Sequence, residues 1–280
     1  MAKYVPDIKT QRWVIIAAGR TRRPDDASSQ KPACPFCEGK ETQTPLETYR
    51  IGDGPANGPG WHVRVVPNKF PITDTHEVII HSPDHVNDIE SLPAEHVGWI
   101  VTAYRDRFRT HAADGQVIIF CNHGQHAGAS LIHPHSQLVV VPRQINLDAL
   151  SREPIANVVA EDEHMVTYCP DFSQWPFETW LTPKTEGTRF GDTPDTVLPA
   201  VAAALQAALK KIAAIYADPS LSHIHNGNPF GYNFYIYHGV NWFIRITPRF
   251  VHRAGFELGT GLNVNIVDPV EAAEKLKKIG

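Results

Sequence analysis

The chain is predicted to be an α+β protein built on a mainly antiparallel sheet, and three observations point there. Short stretches rich in β-branched and aromatic residues outnumber long helical periods. The helical periods are few and do not alternate regularly with the strands, which argues against a βαβ array. One strand and turn pattern near the middle of the chain is echoed near its end.

In chain order, strands are expected at Trp13 to Ala17, His62 to Val66 and Glu77 to His81. After Pro93, the residues Val97, Ile100, Val101, Tyr104 and Phe108 fall at helical spacing, so an amphipathic helix should cover the sheet. Strands follow at Val117 to Cys121, Gln137 to Val141 and Phe177 to Leu181. A second amphipathic helix carries Val201, Leu205, Leu209, Ile212 and Tyr216, and strands return at Tyr232 to His238 and Trp242 to Thr247. A last helix opens at Asp268, an N-cap residue type, with Pro269 at the first helical position and Glu271 three residues after the cap. The echo is seen when "VPR" at 141–143 is laid on "TPR" at 247–249. "HPHSQLVVVPR" then covers "GVNWFIRITPR", placing His133 on Gly239, His135 on Asn241 and Gln137 on Phe243. Each copy follows a strand and a Gly/Asn-containing turn. The division expected is therefore an N-terminal half over 1–148, carrying the histidines, and a C-terminal half over 149–280 without them.

Composition narrows the function. With 280 residues, 42% of them hydrophobic and 20% charged, the chain can bury a large core. A formal charge of −4 argues against a surface built wholly for nucleic acid or anionic membrane, so anion binding has to be local. There is no unbroken run of 18 apolar residues and no signal-peptide pattern at the start, so no membrane association and a cytoplasmic location are expected. Four cysteines are too few for a disulfide scaffold of this size, and Cys34 and Cys37 in "CPFCEGKE" have the C-x2-C spacing of a metal knuckle.

The chemistry concentrates in "GASLIHPHSQLVVVP", Gly128 to Pro142. On an extended strand His133, His135 and Gln137 share one face, with Leu138 and Val140 opposite. A polar solvent face on an edge strand is the plain alternative, and Pro134 is compatible with it. The preceding "CNHGQHAGAS" favours a binding site. Gly124 and Gly128 let backbone N–H groups turn toward an anion, and Asn122 and Ser130 add short hydrogen-bonding side chains. Zinc takes four N/S ligands in a tetrahedron, so two histidines must join Cys34 and Cys37. Spacing alone does not choose them among 15 histidines, although His85 in "HSPDH" and His133 each lie beside a strand end.

"YVPDIKTQRWVIIAAGRTRRP", "CPFCEGKETQTPLETYR", "WHVRVVPNKFPI", "HEVIIHSPDH", "GASLIHPHSQ" and the "GFELGTG" to "DPVEAAEKL" region occur in this order. In that order they resemble galactose-1-phosphate uridylyltransferases and their relatives of the histidine-triad superfamily, including ADP-glucose phosphorylases. The resemblance implies two histidine-triad-like halves and ping-pong transfer of a nucleoside monophosphate from a nucleotide sugar to a hexose 1-phosphate or to phosphate. It implies His135 as the nucleophile and one structural zinc on Cys34, Cys37, His85 and His133. Gln137, Ser130 and Asn122 become phosphate contacts, Arg20 and Arg23 grip the incoming phosphate, and Val66, Asn68 and Phe70 line a base and ribose pocket. Glu257 and Asn263 belong to a sugar-binding segment lent by the partner of a homodimer. Ser136 stands where uridylyltransferases usually carry glycine, a feature of the phosphorylase-like branch, and Lys69 replaces an acidic residue suited to a ribose hydroxyl. "NWFIRITPR" lacks the histidines some members use for a second metal. The rival readings are a nucleotide-sugar hydrolase, in which water takes the nucleotidyl group, and a non-catalytic nucleotide-binding sensor. A sensor has no use for a nucleophile beside Gln137.

Overall fold

A computed structural model describes residues 2–8, 12–17, 20 and 34–280. Strands β1 (Lys3–Asp7) and β2 (Arg12–Ile16) form a separate antiparallel pair. The remaining strands are β3 (Tyr49–Ile51), β4 (Val63–Pro67), β5 (Thr75–Ile80), β6 (Gln116–His123), β7 (His135–Val141), β8 (Val158–Glu161), β9 (Met165–Tyr168), β10 (Thr179–Pro183), β11 (Tyr232–Ile236) and β12 (Ile244–Pro248). They make one ten-stranded sheet in the order β3-β4-β5-β7-β6-β11-β12-β10-β9-β8, with antiparallel pairing throughout.

Read inward from its two edges, the sheet repeats one strand order. One edge gives β3-β4-β5-β7-β6, the other β8-β9-β10-β12-β11, and β6 meets β11 at the centre with Tyr232 opposite His123 and Ile236 opposite Ile119. A long helix follows the third strand of each series: α1 (Ala94–His111) after β5, and α2 (Leu198–Ala217) after β10. The echoed segments "HPHSQLVVVPR" and "GVNWFIRITPR" fall on and just before β7 and β12, which occupy the same place in the two series.

Both helices lie on one face of the sheet. Their apolar stripes, Val97, Ile100, Val101, Tyr104 and Phe108 on α1 and Val201, Leu205, Leu209 and Ile212 on α2, share a core with Val65, Ile79, Val117, Ile119, Leu138, Phe234 and Ile246. By length and composition α2 is apolar enough to cross a membrane, but half of that stretch is buried against the sheet, as in a core helix. Alternation along the strands turns the other residues to the opposite face. There Phe36, Trp61, Val66, Val78 and Ile80 cluster on the first half, and Val166, Tyr168, Trp180 and Phe243 on the second. The short α3 (Ser222–His225) precedes β11, and α5 (Pro269–Lys278) ends the chain with Asp268 Oδ1 accepting from Val270 N at 2.8 Å.

Two expectations are corrected. β7 begins at His135, not His133, so His133 lies just ahead of the strand and is free to turn to another partner set. β7 is flanked by β5 and β6 and buried along its whole length, which removes the edge-strand alternative. The glycine-containing segment at 255–260 is a short helix, α4 (Gly255–Thr260), whose Glu257 Oε2 accepts from Ala254 N at 3.0 Å.

Candidate active site

The Cys34 to Lys40 loop turns tightly, with Cys37 N donating to Cys34 O at 3.4 Å and Lys40 N to Cys37 O at 3.1 Å. It brings Cys37 Sγ within 3.4 Å of His85 Nδ1 and 3.7 Å of His133 Nδ1. Ligand atoms of Cys34, Cys37, His85 and His133 all lie within 4.8 Å of one another. A tetrahedral zinc with ordinary bond lengths separates S and N ligands by about 3.5 Å, which the Cys37 separations from His85 and His133 match. His133 Nε2 donates to Ser82 O at 2.8 Å, which leaves Nδ1 as the nitrogen able to ligate a metal. Burial, aided by the nearby His85, His135 and His81, drives His133 down to about 4, keeping its imidazole neutral as a ligand must be. Burial pushes the Cys34 thiol up to about 11 against backbone hydrogen bonds that favour its thiolate, and a bound cation would favour the thiolate further.

This cluster abuts His135. Phe36, between the two cysteines, meets the His133 ring edge-on at 6.0 Å and the His135 ring at 5.5 Å. His135 Nδ1 lies 2.8 Å from the carbonyl oxygen of His133, an atom that only accepts, so Nδ1 carries the proton and Nε2 holds the nucleophilic lone pair.

Cross-strand neighbours furnish the surroundings. Gln137 sits beside Val78 on β5 and Phe120 on β6, on the face away from the helices. Its Oε1 lies 3.0 Å from His76 Nε2. Asn122, near the end of β6, accepts through Oδ1 from Asn233 Nδ2 at 2.8 Å, and the same Nδ2 reaches Ala127 O at 2.8 Å. Asn68 Oδ1 accepts from Phe70 N at 2.8 Å, and Phe70 O accepts from Arg20 Nη1 at 2.6 Å. Val66 belongs to the apolar cluster with Phe36 and Val78. The expected pocket residues Arg20, Val66, Asn68 and Phe70 thus adjoin the His135 and Gln137 neighbourhood. Lys69 Nζ is engaged with Gln43 O. Ser130 follows the turn at Gly124 and Gly128, both at positive φ, where a side chain at Gly124 would meet Phe230 O at 2.6 Å. Arg23 lies outside the described residues. Glu257 and Asn263 sit in a segment whose Phe256, Leu258, Leu262, Val264 and Ile266 are exposed, and Glu257 is tied to its own helix.

Sequence reasoning missed the support behind β7. Ser136, between His135 and Gln137, points to the helical face. Its Oγ lies 2.6 Å from Tyr104 OH and 2.8 Å from His81 Nε2. His81 Nδ1 donates to Asp88 Oδ1 at 2.6 Å, and His123 Nδ1 to Asp88 Oδ2 at 2.7 Å. Asp88 is fully buried, yet these two histidines hold its carboxyl far below the usual carboxylate range. Ser136 therefore ties β7 to the helical face through Tyr104 and His81. His76 and Asn233 were missed as well, since they meet their partners across 61 and 111 residues and no local spacing marks them.

The model of the N-terminal domain of DUF4931, a domain of unknown function, matches residues 16–144. Arabidopsis thaliana ADP-glucose phosphorylase is 28% identical over 327 aligned positions, covering 98% of this chain and 92% of that one. The crystal structure of an ADP-glucose phosphorylase from that plant, with bound ADP-glucose, superposes with a TM-score of 0.76 at 26% identity over the full length of both chains. The chain is similar to ADP-glucose phosphorylases and galactose-1-phosphate uridylyltransferases. The uridylyltransferase of Thermotoga maritima is 26% identical over 209 positions, covering 62% of this chain and 64% of that one. Both relatives are enzymes of the nucleotidyltransferase and phosphorylase type.

Proposed function

We propose that the chain moves a nucleoside monophosphate from a nucleotide sugar to inorganic phosphate through a covalent intermediate on His135. The observation that carries this reading is the bond from His135 Nδ1 to the His133 carbonyl, which commits the ring proton and leaves Nε2 as the attacking atom. Nε2 forms a bond to the α-phosphorus, the phosphoanhydride bond breaks, and the sugar 1-phosphate leaves. An oxygen of the acceptor then attacks the same phosphorus and releases His135. Gln137 and Asn122 stabilise the negative charge on the non-bridging oxygens, and the guanidinium groups of Arg20 and Arg23 hold the phosphates. Zinc on Cys34, Cys37, His85 and His133 would be structural, with a closed shell that fixes the approach to β7.

Inorganic phosphate as acceptor and ADP-glucose as donor are favoured by the full-length match to the Arabidopsis phosphorylase. A second reading, UDP-glucose as donor and a hexose 1-phosphate as acceptor, draws on the Thermotoga match. Product analysis separates them. The protein is given ADP-glucose with labelled phosphate, or UDP-glucose with galactose 1-phosphate. Labelled ADP supports the first reading, and UDP-galactose the second. Nucleoside monophosphate released at the same rate without acceptor marks a hydrolase. Binding with no turnover leaves a sensor.

The repeated strand order supports descent of 1–148 and 149–280 from one duplicated unit. The exposed apolar side chains around Glu257 and Asn263 support a homodimer in which this segment serves the neighbouring subunit's site.

A further inference from the structure

The two amides flanking His135 can each face a ligand either way round, and only one way suits a phosphoryl group. Its oxygens accept hydrogen bonds, so the –NH2 ends of Gln137 and Asn122 must point at it and their carbonyl oxygens must be satisfied elsewhere. Neither residue type determines that choice by itself.

We infer that His76 and Asn233 are positioning residues that set the polarity of these amides. The argument for His76 starts from the backbone. Ile72 N donates to His76 Nδ1 at 2.9 Å, and a backbone N–H cannot reverse its role. Nδ1 is therefore the accepting nitrogen, and the neutral ring carries its proton on Nε2. That Nε2–H lies 3.0 Å from Gln137 and can be satisfied only by Oε1, so the –NH2 group is turned to the other side. His76 is buried, which keeps solvent from competing for the same oxygen.

Asn233 works by the same logic from the opposite strand. Its Nδ2 bridges two acceptors, Ala127 O and Asn122 Oδ1, both at 2.8 Å. The Ala127 carbonyl cannot donate, so Asn233 must present its nitrogen, and Asn122 must answer with oxygen. Register confirms that the parts share a face: Asn233 is opposite Asn122, and Val78, two residues after His76, is opposite Gln137. Asn68 is oriented the same way, its oxygen accepting from Phe70 N at 2.8 Å. Three amides thus have their oxygens engaged by the protein, so an anion entering beside His135 would meet donors.

The inference deepens the nucleotidyl-transfer reading and rests on it, so its test uses single-turnover adduct formation from ADP-glucose. Rates are measured at saturating donor for wild type, His76→Phe, Gln137→Ala and the double variant, with donor affinity taken from equilibrium titration. Losing one donor to a charged transition state costs about 10²–10³-fold, so Gln137→Ala should fall in that range. His76→Phe should slow the step about 10- to 100-fold with little change in affinity. If His76 acts through Gln137, adding His76→Phe to Gln137→Ala changes the rate by less than about twofold. Losses that multiply would overturn the assignment. The same cycle with Asn233→Asp and Asn122→Ala tests the other arm, and multiplying losses there would remove Asn233.

A separate readout covers a variant that fails to fold, or a wild type that forms no adduct with either donor. In ¹⁵N spectra of the wild-type protein at neutral pH, His76 is expected to show an unprotonated Nδ1 and a protonated Nε2. The reverse tautomer or a charged ring would overturn the inference. Absence of any adduct alongside the expected tautomer would sink the transfer reading alone.

Discussion

β7 and β12 hold the same place in the two strand series, yet the faces they turn from the helices differ in kind. Around β7 lie His135, Gln137, His76 and Asn122. Around β12 the corresponding space is closed. Phe243 stacks on Trp180 with centroids 4.2 Å apart and on Tyr237 at 4.9 Å, and Arg245 pairs with Glu178 at 2.7 Å, which also accepts from Trp180 Nε1 at 2.7 Å. Arg245, Glu178 and Trp180 thus answer one another. In the first half the side-chain carbonyls of Gln137, Asn122 and Asn68 are engaged by His76, Asn233 and Phe70 N. The difference teaches that strand order and apolar volume suffice to keep a fold, whereas a site depends on which hydrogen-bonding capacity the fold leaves for a ligand.

The largest effect should come from the nucleophile. His135→Ala is expected to lower transfer on the order of 10⁴-fold or more while leaving bound metal and thermal midpoint nearly unchanged. Asn241→Ala, at the echoed position, should leave transfer intact. It should cost about 1 kcal/mol in denaturant unfolding, because Asn241 holds positive φ and accepts from Gly187 N. Equal losses of activity from both variants would erase the contrast between the halves.

Next comes the pair Gln137 and Phe243. Gln137→Ala should reduce the transfer rate about 10²–10³-fold and cost about 1–3 kcal/mol of stability, since buried His76 loses its Gln137 acceptor. Phe243→Ala should destabilise by about 3–5 kcal/mol through the cavity left between Trp180 and Tyr237, with transfer per folded molecule preserved. Urea unfolding monitored by tryptophan fluorescence, with activity corrected for the folded fraction, separates the two.

The Cys34, Cys37, His85 and His133 cluster belongs to the first half, and zinc is expected at about one ion per chain by elemental analysis. Its removal by chelator, or Cys34→Ser, should lower the thermal midpoint by several degrees, chiefly by releasing Phe36 from His133 and His135. Full activity and an unchanged midpoint in metal-free protein would separate the cluster from the nucleophile.

The smallest effect is a pH dependence shared with the helical face. Burial raises the Glu77 carboxyl, but hydrogen bonds from His111 and Arg107 and the Arg107 charge overcome it and bring the group to about 2. A depressed carboxylate stabilises the fold above its unfolded pKa, and that share is lost as pH falls from about 4.5 toward 2. Glu77→Gln should therefore cost about 2–3 kcal/mol at pH 7 and much less near pH 2, as measured by unfolding at the two pH values.

Much of this was legible in the sequence because it is local. The stripes of α1 and α2, the cap of α5 and the C-x2-C turn all depend on residues within a few positions of one another. β3, β8 and β9 were missed because three or four residues carry too little alternation to read, and the pairing partner supplies the rest. α4 was hidden by glycines that normally weaken helices, and its Glu257 cap outweighs them. The shared face expected for His133 and His135 failed because Cys37 and Ser82 compete for the His133 ring, a preference visible only once the loop and strand meet. The same distance in sequence concealed His76 and Asn233.

The central claim is that His135 carries a nucleotidyl group during turnover. Intact mass spectrometry tests it most directly, after rapid quenching with ADP-glucose or UDP-glucose in the absence of acceptor. Wild type is expected to gain the mass of one nucleoside monophosphate, lose it when acceptor is added, and show no gain in His135→Ala. Turnover at the wild-type rate by His135→Ala, or an adduct retained by that variant, would contradict the account.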